Sequence, residues 1–223
     1  MSKKPHILFL NQLADNLLVE HDEIRVSCEP IIEISELDFD CKNWNRNIPW
    51  VFTSGNASRC FCEIDFPSKV YAVGPRTASN IPNALIPKIH TAVYLAELII
   101  ENKEQEVMFI CGDNRRGDLL KGLNNADIKV LEKVVYSSRI LKKSIDLRGV
   151  DALAFMSPSS VKGLMQNGGF NNLPCFAIGP STERELIRQG QDLILSKESS
   201  SESIIEKAIE YFAWHSPIKE TEG

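Results

Sequence analysis

The chain has 223 residues and 43% of them are hydrophobic, so it is long enough to bury one sizeable core or two smaller ones. Its formal net charge is −5. A global negative field repels both nucleic acid and anionic membranes, so we expect neither as a partner. A small anionic molecule is not excluded, because local hydrogen-bond donors can outweigh a weak global field.

The cysteines and histidines are scattered, and their spacing indicates no metal site. The CxC pair Cys60 and Cys62 has no further cysteine or histidine nearby, and no CxxC spacing occurs. The apolar run ILFL (7–10) is too short for a signal peptide and is followed by polar residues. We therefore expect a cytoplasmic protein with reduced cysteines, at positions 28, 41, 60, 62, 111 and 175.

In chain order, short apolar runs alternate with segments of helical periodicity. The apolar runs predict strands buried on both faces, at 6–11, 50–54, 70–74, 106–112, 151–157, 175–179 and 192–196. The helical segments are 91–102, 116–123, 159–167, 181–189 and 202–214, with Thr91 as an N-cap and Gly190 as a helix stop. This alternation predicts an α/β fold with parallel sheets.

Two further stretches, 29–35 and 129–138, are extended and rich in β-branched residues. Each could be an ordinary edge strand or a strand that connects two lobes. Periodicity does not decide between these alternatives.

A strand-to-turn phrase occurs twice. YAVGPRT (71–77) and FAIGPST (176–182) are identical at four of seven positions. Each is preceded by a strand that ends in a serine-containing turn, within VFTSGNAS (51–58) and AFMSPSSV (154–161). This recurrence predicts two similar α/β lobes or a tandem half-fold.

Five polar turns follow these strands: TSGN, GPRT, CGDNRRG, SPSS and GPST. In parallel α/β sheets, ligands bind beyond the carboxyl ends of the strands, where helix N-termini and Ser, Thr and Gly residues favour anions. Each turn alone is typical of a helix cap, and each nearby arginine of a solvated helix start. Five turns in mirrored places favour carboxylate or phosphate binding. The candidate binding residues are Thr53, Ser54, Gly55, Asn56, Gly74, Arg76, Gly112, Arg115, Arg116, Ser157, Pro158, Ser159, Ser160, Gly179 and Ser181.

Signatures of several common catalytic sites are missing from the sequence. It contains no GxGxxG after a strand, no GxxxxGK[ST], no GxSxG, and no evident carboxylate pair or histidine-centred triad. We therefore expect a site that orients an anionic substrate rather than one with a strong nucleophile.

Five segments resemble the uroporphyrinogen-III synthase family: VFTSGNAS (51–58), YAVGPRTA (71–78), GDNRRGDLL (112–120), AFMSPSSVKGL (154–164) and AIGPSTERELIRQG (177–190). The resemblance covers most of residues 48–214. It implies two flavodoxin-like lobes with parallel sheets, joined by a two-stranded antiparallel ladder. Lobe one would comprise 1–32 plus 139–223, lobe two 37–132, and the ladder strands 33–36 and 133–138.

The resemblance also implies an activity. Members of this family are lyases that cyclise hydroxymethylbilane to uroporphyrinogen III in haem biosynthesis, with loss of water and inversion of ring D. It further implies a cytoplasmic monomer that needs no metal or organic cofactor, and whose partner is a linear tetrapyrrole polycarboxylate. Thr77 and Thr182 match the family's threonines after the Gly-Pro turns, which makes them the candidate catalytic residues. For each of them the alternative role is a helix cap.

The chain departs from the family pattern at two places. Gly163 stands where many members carry a tyrosine that assists departure of the substrate hydroxyl, and Asn11 and Gln12 stand where an arginine is frequent. Tyr71 and Tyr136 are other tyrosines that could approach the site, although Tyr71 is expected in a strand core. The alternative functions are a non-catalytic ligand-sensing module of the same fold and a sugar-phosphate-binding isomerase-like protein.

Overall fold

The computed structural model describes residues 4–18, 21–61, 66–115 and 117–215. The chain divides into two units. The first unit consists of residues 1–33 and 139–223, and the second of residues 34–138. The chain thus passes from the first unit to the second after Glu33 and returns after Ser138.

Within the described residues the chain forms ten strands and seven α-helices. The strands are β1 (His6–Phe9), β2 (Arg25–Cys28), β3 (Ile32–Glu36), β4 (Trp50–Phe52), β5 (Val70–Ala72), β6 (Glu106–Gly112), β7 (Lys129–Ile140), β8 (Ala152–Phe155), β9 (Cys175–Ala177) and β10 (Leu193–Leu195). The helices are α1 (Gly55–Arg59), α2 (Pro75–Ala78), α3 (Ala92–Glu101), α4 (Asp118–Asn125), α5 (Pro158–Gln166), α6 (Pro180–Arg188) and α7 (Ser201–His215). A short 3-10 turn lies at Asp15–Leu17.

The sheet of the first unit has the strand order β10-β9-β8-β1-β2, and its strands pair in parallel. Successive side chains point to opposite faces of a strand, so Ile7 packs on the face that α7 covers and Leu8 on the face of α5 and α6. All residues of β1, β8 and β9 are buried. Both faces of this sheet therefore contribute to the core, as the near-continuous apolar runs predict.

The second sheet has the strand order β3-β7-β6-β4-β5. Strands β4 to β7 pair in parallel. On one face Val51 and Phe109 pack against α3 and α4, and on the other Trp50 and Phe52 pack with α1 and a cluster of aromatic rings. Helices again cover both faces of a parallel core.

Strand β3 runs antiparallel to β7. The Leu37 N–H donates to the Val135 carbonyl and the Leu141 N–H to the Ile31 carbonyl, both at 2.9 Å. Residue numbers therefore rise along one strand as they fall along the other. The two stretches that periodicity left open are thus paired with each other.

The α/β class with mainly parallel sheets is confirmed. Thr91 caps α3 as predicted, and its hydroxyl accepts from the Tyr94 N–H at 3.4 Å. None of the helices in the described residues is long and apolar enough to cross a membrane. The same described residues contain no group of three or more His, Cys, Asp and Glu side chains that could hold a metal ion.

Candidate functional site

In the second unit three of the candidate turns lie along one edge of the sheet. TSGN follows β4, GPRT follows β5, and CGD (111–113) begins with the last two residues of β6. Because these strands are parallel neighbours, their carboxyl ends meet at the same edge. In the first unit SPSS follows β8 and GPST follows β9, which are also parallel neighbours.

The TSGN turn is organised around Ser54. Ser54 is the N-cap of α1, and its hydroxyl accepts a hydrogen bond from the Asn56 N–H at 3.1 Å. Thr53, Gly55 and Asn56 are half-buried around it. The capping role that a lone serine turn suggests is therefore real at this position.

Tyr136 connects the TSGN turn to the end of β6. Its hydroxyl donates to the Ser54 hydroxyl at 3.0 Å, and its ring lies directly over the backbone of Gly112. Gly112 is opposite Tyr136 in the strand register, just after a shift in register at Cys111. Burial raises the pKa of Tyr136. A tyrosine is neutral near pH 7 at its ordinary pKa, and this rise extends the pH range over which the Tyr136 phenol keeps its proton.

The GPRT turn holds Thr77 at the third position of α2. The Thr77 N–H donates to the Gly74 carbonyl at 3.0 Å, and Thr77 is only 6% exposed. Within the described parts of the chain its hydroxyl has no hydrogen-bond partner. Arg76 is exposed beside it. The His90 side chain packs against Gly74, so that an added Cβ there would lie 3.1 Å from the His90 Cβ.

The CGDNRRG turn contains two arginines, Arg115 and Arg116. The exposed Arg115 forms an ion pair with Glu132 on β7. Any anion that binds Arg115 must therefore compete with a carboxylate of the protein. Arg116 lies outside the described residues.

In the first unit Ser157 and Ser160 are hydrogen-bonded to each other. Ser157 is the N-cap of α5, and its hydroxyl accepts from the Ser160 N–H at 3.2 Å. The two hydroxyls are 3.2 Å apart, and the fully buried Ser160 hydroxyl also donates to the Ser157 carbonyl at 2.7 Å. Pro158 and Ser159 are half-buried on the same turn. Ser160 therefore has a structural role in the first turn of α5, where Ser157 is the cap.

The GPST turn repeats the arrangement of the GPRT turn. Thr182 is the third residue of α6, and its N–H donates to the Gly179 carbonyl at 3.0 Å. Thr182 is 1% exposed, and in the described part of the chain its hydroxyl has no partner. Ser181 is half-buried beside it. Each unit thus holds one buried threonine whose hydroxyl has no hydrogen-bond partner among the described residues.

Residues 13–206 match the model of the uroporphyrinogen-III synthase HemD family. The chain belongs to the uroporphyrinogen-III synthase family. No curated protein gave a significant match.

Two solved structures are similar in fold. The uroporphyrinogen-III synthetase of Helicobacter pylori is 19% identical, with a TM-score of 0.64 over 93% of this chain and 99% of that one. A mutant uroporphyrinogen III synthase of Thermus thermophilus is 15% identical, with a TM-score of 0.59 over 94% of this chain and 99% of that one. At such identities the likeness shows a shared fold.

The structure explains one departure from the family pattern. Gly163 is buried in α5, and an added Cβ would lie 2.9 Å from Cδ1 and 3.1 Å from Cγ1 of Ile31. Ile31 is itself fully buried. In this member of the uroporphyrinogen-III synthase family, the Ile31 side chain therefore occupies the space next to Gly163 that the Cβ of a larger residue would need. A tyrosine at this position does not fit without rearrangement of Ile31.

The second departure is Asn11, which organises the SPSS turn. Its Oδ1 accepts from the Met156 N–H at 2.8 Å, and its Nδ2 donates to the Ser157 hydroxyl at 3.4 Å. Asn11 and His90 are not among the predicted site residues, and the sequence indicates Tyr136 only as a tyrosine that could approach the site. Each reaches its turn from a distant part of the sequence, so spacing within a motif carries no signal for it.

Proposed function

We propose that this chain is a uroporphyrinogen-III synthase, a hydro-lyase that closes hydroxymethylbilane to uroporphyrinogen III with loss of water and inversion of ring D. The observation that carries the proposal is the pair of matched threonines, Thr77 and Thr182. Each is buried after a Gly-Pro turn in its own unit, and each hydroxyl is without a partner among the described residues. The reaction itself is proposed because the chain belongs to the uroporphyrinogen-III synthase family.

We also propose that both units are flavodoxin-like lobes. Counted in chain order, the first sheet reads 2-1-3-4-5, and the parallel part of the second sheet reads 2-1-3-4 when β4 is counted first. In the proposal lobe one comprises residues 1–32 and 139–223 and lobe two residues 37–132. Segments 33–36 and 133–138 form the ladder. The division of the chain after Glu33 and Ser138 supports these bounds.

The chemistry of the substrate suits such a site. Each pyrrole of the linear tetrapyrrole carries acetate and propionate carboxylates, which accept hydrogen bonds from neutral hydroxyl and backbone donors. The reactive intermediate that forms when the hydroxyl leaves closes unaided to the wrong isomer. Holding the chain so that the last ring is attacked at its substituted carbon is a positioning task, and positioning of reacting groups can lower a barrier by several kcal/mol.

The threonine hydroxyls can be tested by replacing them with methyl groups of the same shape. We expect Thr77→Val and Thr182→Val to keep the free energy of unfolding, because no protein hydrogen bond is lost. A hydrogen bond to a charged group contributes about 1.5–3 kcal/mol, so turnover of hydroxymethylbilane should fall about tenfold to a hundredfold.

Thr91→Val is the matched control, since the Thr91 hydroxyl caps α3. It should lose about 1 kcal/mol of stability and retain turnover. Full activity of both Thr77→Val and Thr182→Val would show that these hydroxyls do not contact substrate. Loss of stability without loss of turnover would assign them a structural role.

A further inference from the structure

Ser54 uses both of its acceptor positions within the protein. A serine hydroxyl carries two lone pairs and one proton. At Ser54 one lone pair accepts from the Asn56 N–H at 3.1 Å and the other from the Tyr136 hydroxyl at 3.0 Å. The Ser54 proton has no acceptor among the described residues. The hydroxyl is therefore left with a proton to donate and no free lone pair to accept with.

The corresponding serine of the first unit is different. The Ser157 hydroxyl accepts from the Asn11 amide and from the Ser160 N–H, and its own proton is directed to the Ser160 hydroxyl at 3.2 Å. Ser157 therefore satisfies its donor within the protein. The two serine turns look alike in sequence, but only the Ser54 hydroxyl has a proton without an acceptor among the described residues.

Tyr136 is held firmly where it meets Ser54. The Asp113 N–H donates to the Tyr136 carbonyl at 3.0 Å, and the Ser138 N–H donates to the Asp113 carboxylate at 3.0 Å. The ring fills the space over Gly112 that any larger residue would need. A rigid aromatic ring on a strand end fixes the direction of the hydrogen bond that its hydroxyl makes.

We propose that Tyr136 is a positioning residue that makes Ser54 an obligate hydrogen-bond donor toward a carboxylate of the tetrapyrrole substrate. The proposal rests on the proposed function for the identity of the ligand. It assigns Tyr136 a role that acts through Ser54 rather than by contact with the reacting atoms. Without the phenol, a Ser54 lone pair is freed and the hydroxyl can rotate away from the ligand.

The test is a double-mutant cycle on binding of uroporphyrin III, a stable octacarboxylate, followed by quenching of tryptophan fluorescence. Ser54→Ala should weaken binding about tenfold, as expected for loss of one hydrogen bond to a charged group. Tyr136→Phe keeps the ring and should weaken binding threefold to tenfold, by roughly half to all of that effect. Because both changes disable one donor, the double variant should bind no more weakly than Ser54→Ala.

Tyr71→Phe is the matched control, since it removes a tyrosine hydroxyl from the same unit. The Tyr71 hydroxyl donates to Glu104 at 2.8 Å, and Tyr71 is fully buried. Tyr71→Phe should lower the melting temperature and leave the Kd for uroporphyrin III unchanged. If Tyr136→Phe behaved in the same way, Tyr136 would be only structural and the proposal would be overturned.

Kinetics separate this proposal from the proposed function. If the wild-type chain makes uroporphyrinogen III, Tyr136→Phe should raise KM several-fold with kcat nearly unchanged, because the lost contact is made to substrate and transition state alike. A fall in kcat with KM unchanged would contradict a carboxylate-binding role. The wild-type chain could make no type III isomer while the Ser54 and Tyr136 variants weaken porphyrin binding as described. The proposed function would then be wrong, but the role of Tyr136 in positioning Ser54 would be supported.

Discussion

Replacing Gly112 with alanine tests whether the Tyr136 ring depends on the bare backbone beneath it. An added Cβ would lie 2.6 Å from Cε2 and 2.8 Å from the hydroxyl oxygen of Tyr136, so the ring must move. Overpacking of this kind costs about 1–3 kcal/mol. Loss of the hydrogen bond to Ser54 adds about 1 kcal/mol. We therefore expect Gly112→Ala to lower the free energy of unfolding by roughly 2–4 kcal/mol.

The measurement is a urea-unfolding curve for each variant, together with the uroporphyrin III titration. Gly117→Ala is the control, because nothing lies within 4 Å of a Cβ added there and its φ of −81° suits any residue. Gly117 is the N-cap of α4, where alanine is less favourable than glycine, so the change should lower stability by less than about 1 kcal/mol. Gly112→Ala should also weaken porphyrin binding as much as Tyr136→Phe does.

A second variant isolates the clash. Combining Gly112→Ala with Tyr136→Ala removes the ring that the new methyl meets, so the double variant should lose less stability than the sum of the two single losses. If Gly112→Ala were as stable as Gly117→Ala and bound porphyrin like the wild type, the packing of Tyr136 over Gly112 and its consequence for Ser54 would both be refuted.

Two further outcomes follow from buried groups. Gly163→Tyr should not raise turnover and should lower the melting temperature, because its Cβ meets the buried Ile31 side chain; a stable and more active variant would contradict this packing. Burial raises the pKa of the Cys175 thiol to about 12. The unfolded chain therefore loses this proton first, near pH 8.5, and stability should fall as the pH rises above about 8.5. Thermal melts from about pH 8 to about pH 10 should show a shallower fall for Cys175→Ala than for the wild type, and equal slopes would exclude this thiol as a contributor.

Much of the fold could be predicted from local patterns. The apolar runs contain β1, β4, β5, β6, β8, β9 and β10, because burial on both faces requires near-continuous hydrophobic sequence. They do not contain β2 or β7, which complete the parallel pairing. The Thr91 cap could be predicted because its partner, the Tyr94 N–H, lies within the same turn of helix. Such features depend on residues that are neighbours in sequence.

Strand order and long-range contacts could not be predicted in this way. The GPRT turn follows β5, the last strand of its sheet, beyond which Leu85 forms an isolated bridge with Tyr71, whereas the GPST turn follows β9, which has a strand on each side. Two turns that look equivalent in sequence therefore occupy different positions in their sheets. The sequence carries no local signal for this, because strand order is decided by how helices pack over the whole sheet.

The site residues show the same division. Thr77 and Thr182 could be proposed because each lies in a short phrase that recurs and that matches the family's threonine after a Gly-Pro turn. Tyr136 and Ser54 are 82 residues apart, and Asn11 and Ser157 are 146 apart. Contacts at such separations depend on strand register. They determine that the Ser157 hydroxyl proton has an acceptor and that the Ser54 hydroxyl proton has none among the described residues.

The most direct test of the account is the identity of the isomer formed from hydroxymethylbilane. Purified protein should be incubated with freshly generated hydroxymethylbilane, and the products oxidised and separated as type I and type III uroporphyrins. The account predicts mainly the type III isomer, at a rate proportional to protein concentration. Formation of the type I isomer alone, at the rate seen without protein, would contradict it.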